Sequence, residues 1–348
     1  MKEEYSVFEK IKTKKSEVLA CEYSAWYPRL KKYTASSIII KPLPQTFLDY
    51  LSSDSIKLPP HPTDIMNEIV NNSDNDYSDW EDEDNNEDIL VSKPPIVTHE
   101  DFIELHETIQ NNIGKLGGVV TPKLNWSAPK DARWIMTGNS IRCEHVNDVY
   151  LLMNASDHIV DDLEFPFNAV DSEEGDGNHT DTEGFIPELV FRKWIDINPA
   201  MEFRVFIKDR RIVGISQRDL NHYMFLEALQ DDLHDKIDEF VNDIVLEALD
   251  QDKYILDVYL PKPFKKVYVI DVNAFTRKSD PLLFTWNELL TQKGEYEFRL
   301  INSTNIARFS KKEYSENQVP MDIIDASMNT EAMVELAREW KKLQMKEN

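Results

Sequence analysis

The sequence predicts an α+β protein whose sheets are built mainly from antiparallel hairpins. Strand-like segments of the C-terminal half come in pairs, and residues 208–211 and 261–266 form the short connections within two such pairs. The amphipathic helices lie between these hairpins, whereas a doubly wound parallel sheet would alternate single strands with helices. The 348 residues are enough for one large or two ordinary domains, each with a core.

In the N-terminal half, residues 38–40 predict a short strand, which Pro42 and Pro44 end before a helix over residues 47–51. The next helix has apolar residues at helical spacing and ends near Gly114. Its apolar positions are Phe102, Leu105, Ile109 and Ile113. Residues 118–124 then predict a strand.

The C-terminal half alternates more clearly between strands and helices. Strands are predicted over residues 149–153, 188–195, 201–207, 212–216, 255–260 and 267–273. An amphipathic helix lies between residues 216 and 255, with Leu233, Ile237 and Phe240 on its apolar side. A terminal helix is predicted around Trp340.

The charge balance restricts the classes of partner. The chain has 39 Lys and Arg against 64 Asp and Glu, a net charge of -25. A nucleic-acid surface needs cations that displace counterions, and a membrane-binding patch needs them as well, so we expect neither partner. The two cysteines, Cys21 and Cys143, are too few for a disulfide scaffold or a cysteine-based zinc site. Without an apolar segment of membrane-spanning or signal-peptide type, we expect a cytoplasmic protein.

Two acidic stretches interrupt the predicted elements. Residues 71–88 hold nine carboxylates and no cation, which predicts a disordered insertion, and residues 171–184 predict a mobile loop. Either stretch serves as a solvated loop or as an acidic tether for a basic partner, and both alternatives stay open.

Nucleotide- and metal-binding motifs based on glycine, cysteine or histidine do not occur in the sequence. It contains no phosphate-binding loop and no dinucleotide-binding glycine motif, and only 9 of its residues are glycine. The 8 histidines are scattered without metal-ligand spacing. A site in this chain therefore has to depend on carboxylates and cations.

The hairpin around residues 261–266 predicts a metal site. If it is symmetric about Phe264, Asp257 lies directly opposite Asp271, and Asn273 follows on the same face. Two carboxylates and an amide oxygen suit a hard cation such as Mg²⁺, with water and phosphate oxygens completing the octahedron. The alternative is a register slip that turns one aspartate to solvent.

Basic residues on predicted strands supply the second part of the candidate site. Arg204 is expected on the polar face of a half-buried strand, together with Glu202. Phosphate oxygens and ion pairs with the excess carboxylates both explain such cations. The basic residues in question are Lys123, Lys130, Arg192, Lys193, Arg204 and Arg218.

Several ordered blocks resemble the cell division cycle protein 123 family, from about residue 26 to residue 300. They read WYPRLKKYTASSIIIKPLP, PKLNWSAPKDARWI, ELVFRKWI, EFRVFI, GISQRDL, DVNAF and SDPLLFTWNEL. The resemblance implies an ATP-grasp-like fold, in which two lobes with antiparallel sheets sandwich Mg-ATP. It also implies an N-terminal lobe over residues 1–186 and a C-terminal lobe over residues 187–348, which holds the metal site and the terminal helix.

By the resemblance, Lys123 contacts phosphates, the loop to Lys130 lines the same pocket, and residues 192–195 hold adenine. The implied ATP-binding residues are Lys123, Trp126, Ser127, Ala128, Lys130, Arg192, Lys193, Trp194, Ile195, Arg204 and Arg218. The implied metal ligands are Asp257, Asp271 and Asn273, the same three residues that the hairpin predicts.

The family's role implies an ATP-binding assembly chaperone. It would bind the gamma subunit of eukaryotic translation initiation factor 2 as a monomer and promote formation of the heterotrimer, in support of translation initiation and the cell cycle. The WYPRLKKY block is a candidate partner surface. The alternative is an ATP-grasp ligase that couples a carboxylate to an amine through an acyl phosphate, and the same residues would serve it. A nucleotide-free scaffold ranks last, because it leaves Asp257 facing Asp271 without a cation.

Overall fold

The computed structural model describes residues 11–53, 100–170, 182–303 and 305. The predicted insertion at residues 71–88, most of the predicted loop at residues 171–184 and the predicted terminal helix lie outside these residues. No helix among the described residues has the length and apolar character needed to span a membrane.

Ten α-helices occur in the described residues. They are α1 (Lys15–Leu19), α2 (Tyr23–Leu30), α3 (Gln45–Leu51), α4 (Glu100–Lys115), α5 (Val146–Asn154), α6 (Asp157–Glu164), α7 (Met224–Glu227), α8 (Gln230–Phe240), α9 (Leu246–Ala248) and α10 (Trp286–Thr291). A π-helical turn, Val241–Val245, joins α8 to α9.

Eight strands form two sheets in the described residues. They are β1 (Ser37–Ile40), β2 (Val120–Lys123), β3 (Leu189–Lys193), β4 (Glu202–Lys208), β5 (Arg211–Gln217), β6 (Tyr254–Tyr259), β7 (Tyr268–Asn273) and β8 (Phe298–Arg299). One sheet has the order β1-β3-β2 and the other β7-β6-β4-β5-β8. The pairings are antiparallel except that of β5 with β8. The predicted α+β class with antiparallel sheets is thus confirmed.

The chain divides into two compact units. The larger unit comprises Met1–Ser36, Glu164–Phe185 and Trp194–Asn348, and the smaller unit comprises Ser37–Leu163 and Ile186–Lys193. This division differs from the single boundary expected after residue 186. Strand β3 is the centre of the three-stranded sheet, so it joins the smaller unit although it follows that boundary in sequence.

The smaller unit buries helices α3, α4 and α5 against its three-stranded sheet. Their apolar stripes supply Phe47, Phe102, Tyr150 and other members of one core cluster, which also includes Phe191 of β3. The predicted strand at residues 149–153 is wrong, because these residues lie within α5. Asp148 accepts hydrogen bonds from the backbone amides of Glu144 and His145, which starts a helix at this point.

The larger unit contains the five-stranded sheet, and strands β4 to β7 place the candidate site. Hairpin β4–β5 turns at Asp209 and Arg210, both with positive φ, as the right-handed twist of a tight hairpin requires. Helix α2 lies close to β7, and its Trp26 and Tyr27 are buried. Within the WYPRLKKY block, these two aromatic residues therefore belong to the core and not to a partner surface.

Candidate functional site

Asp257 and Asp271 lie directly opposite each other on β6 and β7, as the sequence predicted. The hairpin reaches this pairing through an irregularity. Val258 pairs with Val269, so Ile270 is an extra residue on β7. Without this β-bulge, Ile270 would face Asp257, and the second carboxylate would turn to the other face of the sheet.

The two aspartates belong to a row of side chains that crosses the sheet. Ser216, Arg204, Asp257 and Asp271 occupy neighbouring positions on β5, β4, β6 and β7. Directly opposite residues project to the same face of a sheet. One face of the larger unit's sheet therefore carries a cation between a hydroxyl group and two carboxylates.

Arg204 binds Asp257 through both ends of its guanidinium group. Nε donates to Oδ1 at 2.8 Å and Nη2 donates to Oδ2 at 2.9 Å, while Nη1 donates to the carbonyl oxygen of Asp280 at 2.8 Å. The two paired residues are only 7% and 3% exposed. The expectation of a half-buried strand is wrong here, because residues 203–207, which project to both faces of β4, are all buried. In the structure, Arg204 forms the ion pair that the sequence left as an alternative to phosphate binding.

Arg218 adds a second cation to the same cluster. Its Nε lies 3.3 Å from Oε1 of Glu202 and 3.5 Å from Oδ2 of Asp257. Burial by itself would lower the pKa of Arg218, but the neighbouring carboxylates outweigh it, and the pKa is raised. Among the described residues, the buried Nε forms no hydrogen bond of good geometry, and the two neighbouring carboxylates compensate the charge of the guanidinium group.

Asn273 completes the set of oxygen donors that the sequence predicts. It lies two residues beyond Asp271 on β7, opposite Ile255, and is partly exposed. An ionised carboxylate has about four lone-pair sites, so Asp257 retains acceptor capacity beyond its two bonds to Arg204.

The donor set suits Mg²⁺ only with further ligands. In the described part of the chain, no group of three or more His, Cys, Asp and Glu side chains is placed to hold a metal ion. Mg²⁺ is commonly held by one or two carboxylates together with substrate phosphates and water. Asp257, Asp271 and Asn273 therefore fit Mg²⁺ as part of a complex with a phosphate-bearing ligand.

Lys123, the predicted phosphate contact of the smaller unit, ends β2 and is fully buried. It lies opposite Val190 of β3. Burying an ammonium group is costly unless polar or anionic groups compensate it. Apolar packing alone therefore does not explain a lysine at this position.

The loop after β2 is held by a carboxylate of α6. Asp162 accepts hydrogen bonds from the backbone amide and the hydroxyl group of Ser127, at 2.8 and 2.9 Å. Ala128 accepts a bond from the backbone amide of Lys130 at 2.7 Å. Trp126 and Ala128 are partly buried, whereas Lys130 is exposed. The structure thus brings the predicted loop residues together as one braced turn of the smaller unit.

The predicted adenine-binding segment spans the point where the chain passes between the two units. Arg192 and Lys193 end β3 in the smaller unit, while Trp194 and Ile195 belong to the larger unit. Among the described residues, the buried Nε of Arg192 has no hydrogen-bond partner. Residues 192–195 therefore connect the two units along the chain.

Comparison with known proteins identifies the family. A family model described as D123 matches residues 26–327. The chain belongs to the D123 family. The match includes every block that carried the predicted resemblance to the cell division cycle protein 123 family.

Curated members of the D123 family are similar to this chain over nearly their whole length. A Candida albicans protein named "Translation initiation factor eIF2 assembly protein" is 49% identical, with 99% of each chain covered. A Candida glabrata protein named "Cell division cycle protein 123" is 45% identical, with 99% of this chain and 96% of the relative covered. A solved structure, "Structure of Cdc123 from Schizosaccharomyces pombe", has 31% identity and a TM-score of 0.66, and covers 84% of this chain and 100% of its own.

Sequence reasoning missed three polar groups in this D123 family member. In the larger unit these are the carbonyl oxygen of Asp280 and the hydroxyl group of Ser216, and in the smaller unit it is the carboxylate of Asp162, which holds the loop after β2. The alternation along β4 did place Glu202 beside Arg204. The position of a loop carbonyl or of a helix carboxylate next to a site does not follow from any periodicity in the sequence. Only the folded structure shows these contacts.

Proposed function

We propose that this chain is an assembly factor for eukaryotic translation initiation factor 2, which acts in the cytoplasm as an ATP-binding protein and not as a catalyst. The observation that carries the proposal is the 49% identity, over 99% of both chains, to a relative named for assembly of this factor. Because the alignment covers 99% of both chains, the two proteins do not differ by a large insertion or by a whole domain.

The finer proposal is that the gamma subunit is the direct contact. It is supported by the family resemblance of the ordered blocks between residues 26 and 300. A subunit can exist in a form that accepts the other two subunits and in a form that does not. A protein that binds the first form more tightly shifts the equilibrium toward assembly by the difference between its two affinities.

The proposed ligand of the cluster on β4, β6 and β7 is Mg-ATP. Asp257, Asp271 and Asn273 would hold the metal ion, and Arg218, a second cation beside Asp257, supports a phosphate contact in the same cluster. A bound Mg²⁺ would neutralise phosphate charge beside two carboxylates. Lys123, the loop at residues 126–130 and residues 192–195 remain nucleotide contacts by family resemblance.

The nucleotide proposal is tested by calorimetric titration of Mg-ATP into the wild-type protein, Asp271→Ala and a control, Asp235→Ala. Asp235 is a strongly exposed aspartate outside the cluster. We expect Asp271→Ala to weaken binding at least tenfold, because even outer-shell partners of a metal site contribute about 10–100-fold. The control should bind as the wild type does. Equal affinity in all three proteins would refute the metal assignment.

The assembly proposal has its own measurement. Tagged wild-type protein is mixed with the separate alpha, beta and gamma subunits, and recovery of each subunit and of the heterotrimer is quantified with and without Mg-ATP. We expect the tagged protein to recover the separate gamma subunit but not the separate alpha or beta subunit. We also expect a higher yield of heterotrimer with Mg-ATP than without it. Release of ADP is followed in the same samples, since steady release that depends on an acceptor would support a ligase instead. Failure to recover gamma would refute the partner while leaving the titration result intact.

A further inference from the structure

A cleft of about 470 Å³ in the larger unit is lined by lysines and aromatic rings from three separate parts of the chain. The first part is the 3-10 turn after α2, the second is α8 with its π-helical extension, and the third is the segment leading into β7. The residues that matter here are Lys32, Tyr33, Lys236, Phe240, Lys265 and Lys266. None of the residues proposed for ATP or Mg²⁺ lines this cleft.

The charge of the cleft is opposite to that of the chain. Its lining has four lysines and two carboxylates, Glu239 and Asp243, whereas the chain as a whole has a net charge of -25. Lys236 is bound to Glu239 at 2.8 Å. The other three lysines are exposed, and within the described residues their ammonium groups form no ion pair. The cleft therefore presents uncompensated positive charge.

Between the lysines lies an apolar surface. The rings of Tyr33 and Phe240 meet edge to face, with their centroids 5.4 Å apart. Ile244 and Tyr268 are partly buried and complete this surface. A ligand that fills the cleft can thus bury an apolar group against this surface while its charged groups contact the surrounding lysines.

The backbone of one wall is itself unusual. The turn Val241–Val245 is π-helical, and Asp243 and Ile244 within it line the cleft. π-helical turns make up well under 1% of residues and occur frequently at functional sites. The π-helical turn is therefore a second feature, independent of charge, that indicates a functional site in this part of the larger unit.

We propose that this cleft binds an acidic peptide segment of a partner protein, with one aromatic or aliphatic side chain as its anchor. Lysines are compact charges on flexible stems, so they can adapt to carboxylates spaced along a flexible peptide. A volume of this size accommodates one large side chain with its neighbouring backbone. The site is separate from the proposed nucleotide site and does not depend on it.

The probe is a fluorescein-labelled peptide of glutamates and aspartates around a central phenylalanine, measured by fluorescence anisotropy with the full chain. Two peptide controls replace the carboxylates by amides and the phenylalanine by alanine. The test variant is Lys265→Glu with Lys266→Glu. The matched control variant is Lys115→Glu with Lys293→Glu, which changes the net charge equally at exposed lysines outside the cleft.

We expect the acidic peptide to bind and the amide peptide not to bind. The charge reversal in the cleft should weaken binding about tenfold or more, because it brings like charges together in the interface. The matched control should retain the wild-type affinity, apart from a small effect that added salt removes. Equal affinities of the two variants, or equal binding of the amide peptide, would overturn the proposal. Retention of binding by the alanine peptide would refute the anchor.

Discussion

Replacing Asp257 by asparagine removes the charge partner of Arg204 and the longer contact of the same carboxylate with Arg218. The substitution keeps the size of the side chain, but a guanidinium group that is only 7% exposed loses the negative charge beside it and one of its two acceptor oxygens. It retains the carbonyl oxygen of Asp280. Breaking a buried ion pair from one side costs about 3–5 kcal/mol, and the whole unfolding free energy of a domain is about 5–15 kcal/mol. We therefore expect a loss that is a large share of the larger unit's stability.

The structure offers a matched control in the same unit. Asp250 forms an ion pair with Arg29 at 2.7 Å, a distance close to that of the buried pair, but its side chain is 81% exposed and that of Arg29 is 50% exposed. Such surface pairs contribute less than about 1 kcal/mol, so Asp250→Asn should be nearly silent. The difference in unfolding free energy between Asp257→Asn and Asp250→Asn therefore measures how much burial changes the contribution of an arginine–aspartate pair.

The assay is equilibrium unfolding in urea, followed by tryptophan fluorescence. Trp26 and Trp286 are both buried in the larger unit and report its unfolding. A third protein, Arg204→Met with Asp257→Leu, should regain most of the lost stability, because apolar residues of similar volume replace a buried pair with little cost. With the single variants Arg204→Met and Asp257→Leu measured on the same assay, the coupling between the two sites should be at least about 2 kcal/mol. If Asp257→Asn costs no more than Asp250→Asn, or if the double variant regains nothing, the argument from the buried pair is refuted.

Three smaller predictions concern the packing and the acid sensitivity of the fold. Gly214→Ala should cost about 1–3 kcal/mol in urea unfolding, because the new Cβ would lie 2.8 Å from Cζ of Phe284; a cost near zero would contradict it. Gly114→Ala, at a helical position with open space, should stabilise by up to about 1 kcal/mol on the same assay, and any loss would contradict the reasoning. Burial would raise the pKa of Glu288, but hydrogen bonds, chiefly from Arg299, outweigh it and lower the pKa below its ordinary value of 4.5. The stability that depends on the ionised Glu288 should therefore be complete above that value and lost as pH falls through the lowered pKa. The difference in unfolding free energy between wild type and Glu288→Gln should be constant from about pH 6 to 8 and shrink as the pH falls below about 4.5, and a difference that stays constant or grows on acidification would contradict this sign.

The sequence predicted the central pair of the site because strand alternation and hairpin symmetry are local properties. Asp257 and Asp271 face each other, yet the symmetry argument did not include the bulge at Ile270 that makes the pairing work. A bulge depends on how the turn and the neighbouring strands fit together, and one extra apolar residue in a buried strand leaves no trace in the pattern. The pair was thus predicted correctly, although part of the geometric reason was missing.

Tertiary context decided the features that the sequence predicted wrongly. Residues 149–153 are as apolar as a strand, but Asp148 caps the preceding amides and both sides of α5 are buried, so a helix forms. Arg204 alternates correctly with its neighbours, yet both faces of β4 are buried, and the loop carbonyl of Asp280 contacts the guanidinium group. Periodicity describes one strand or helix and does not show what covers its polar face.

The interleaved course of the chain has a consequence during synthesis on the ribosome. The smaller unit needs β3, so it can be completed as soon as residue 193 has emerged, while the larger unit still lacks most of its sheet. The N-terminal segment must wait longer, because the hydroxyl group of Thr34 donates to the carbonyl oxygen of Val269, 235 residues later. At about 5–20 residues per second, that delay lasts roughly 10–50 s. During this time the aromatic residues of α2 lack the edge strand they pack beside, so the earliest part of the nascent chain is among the last to become protected.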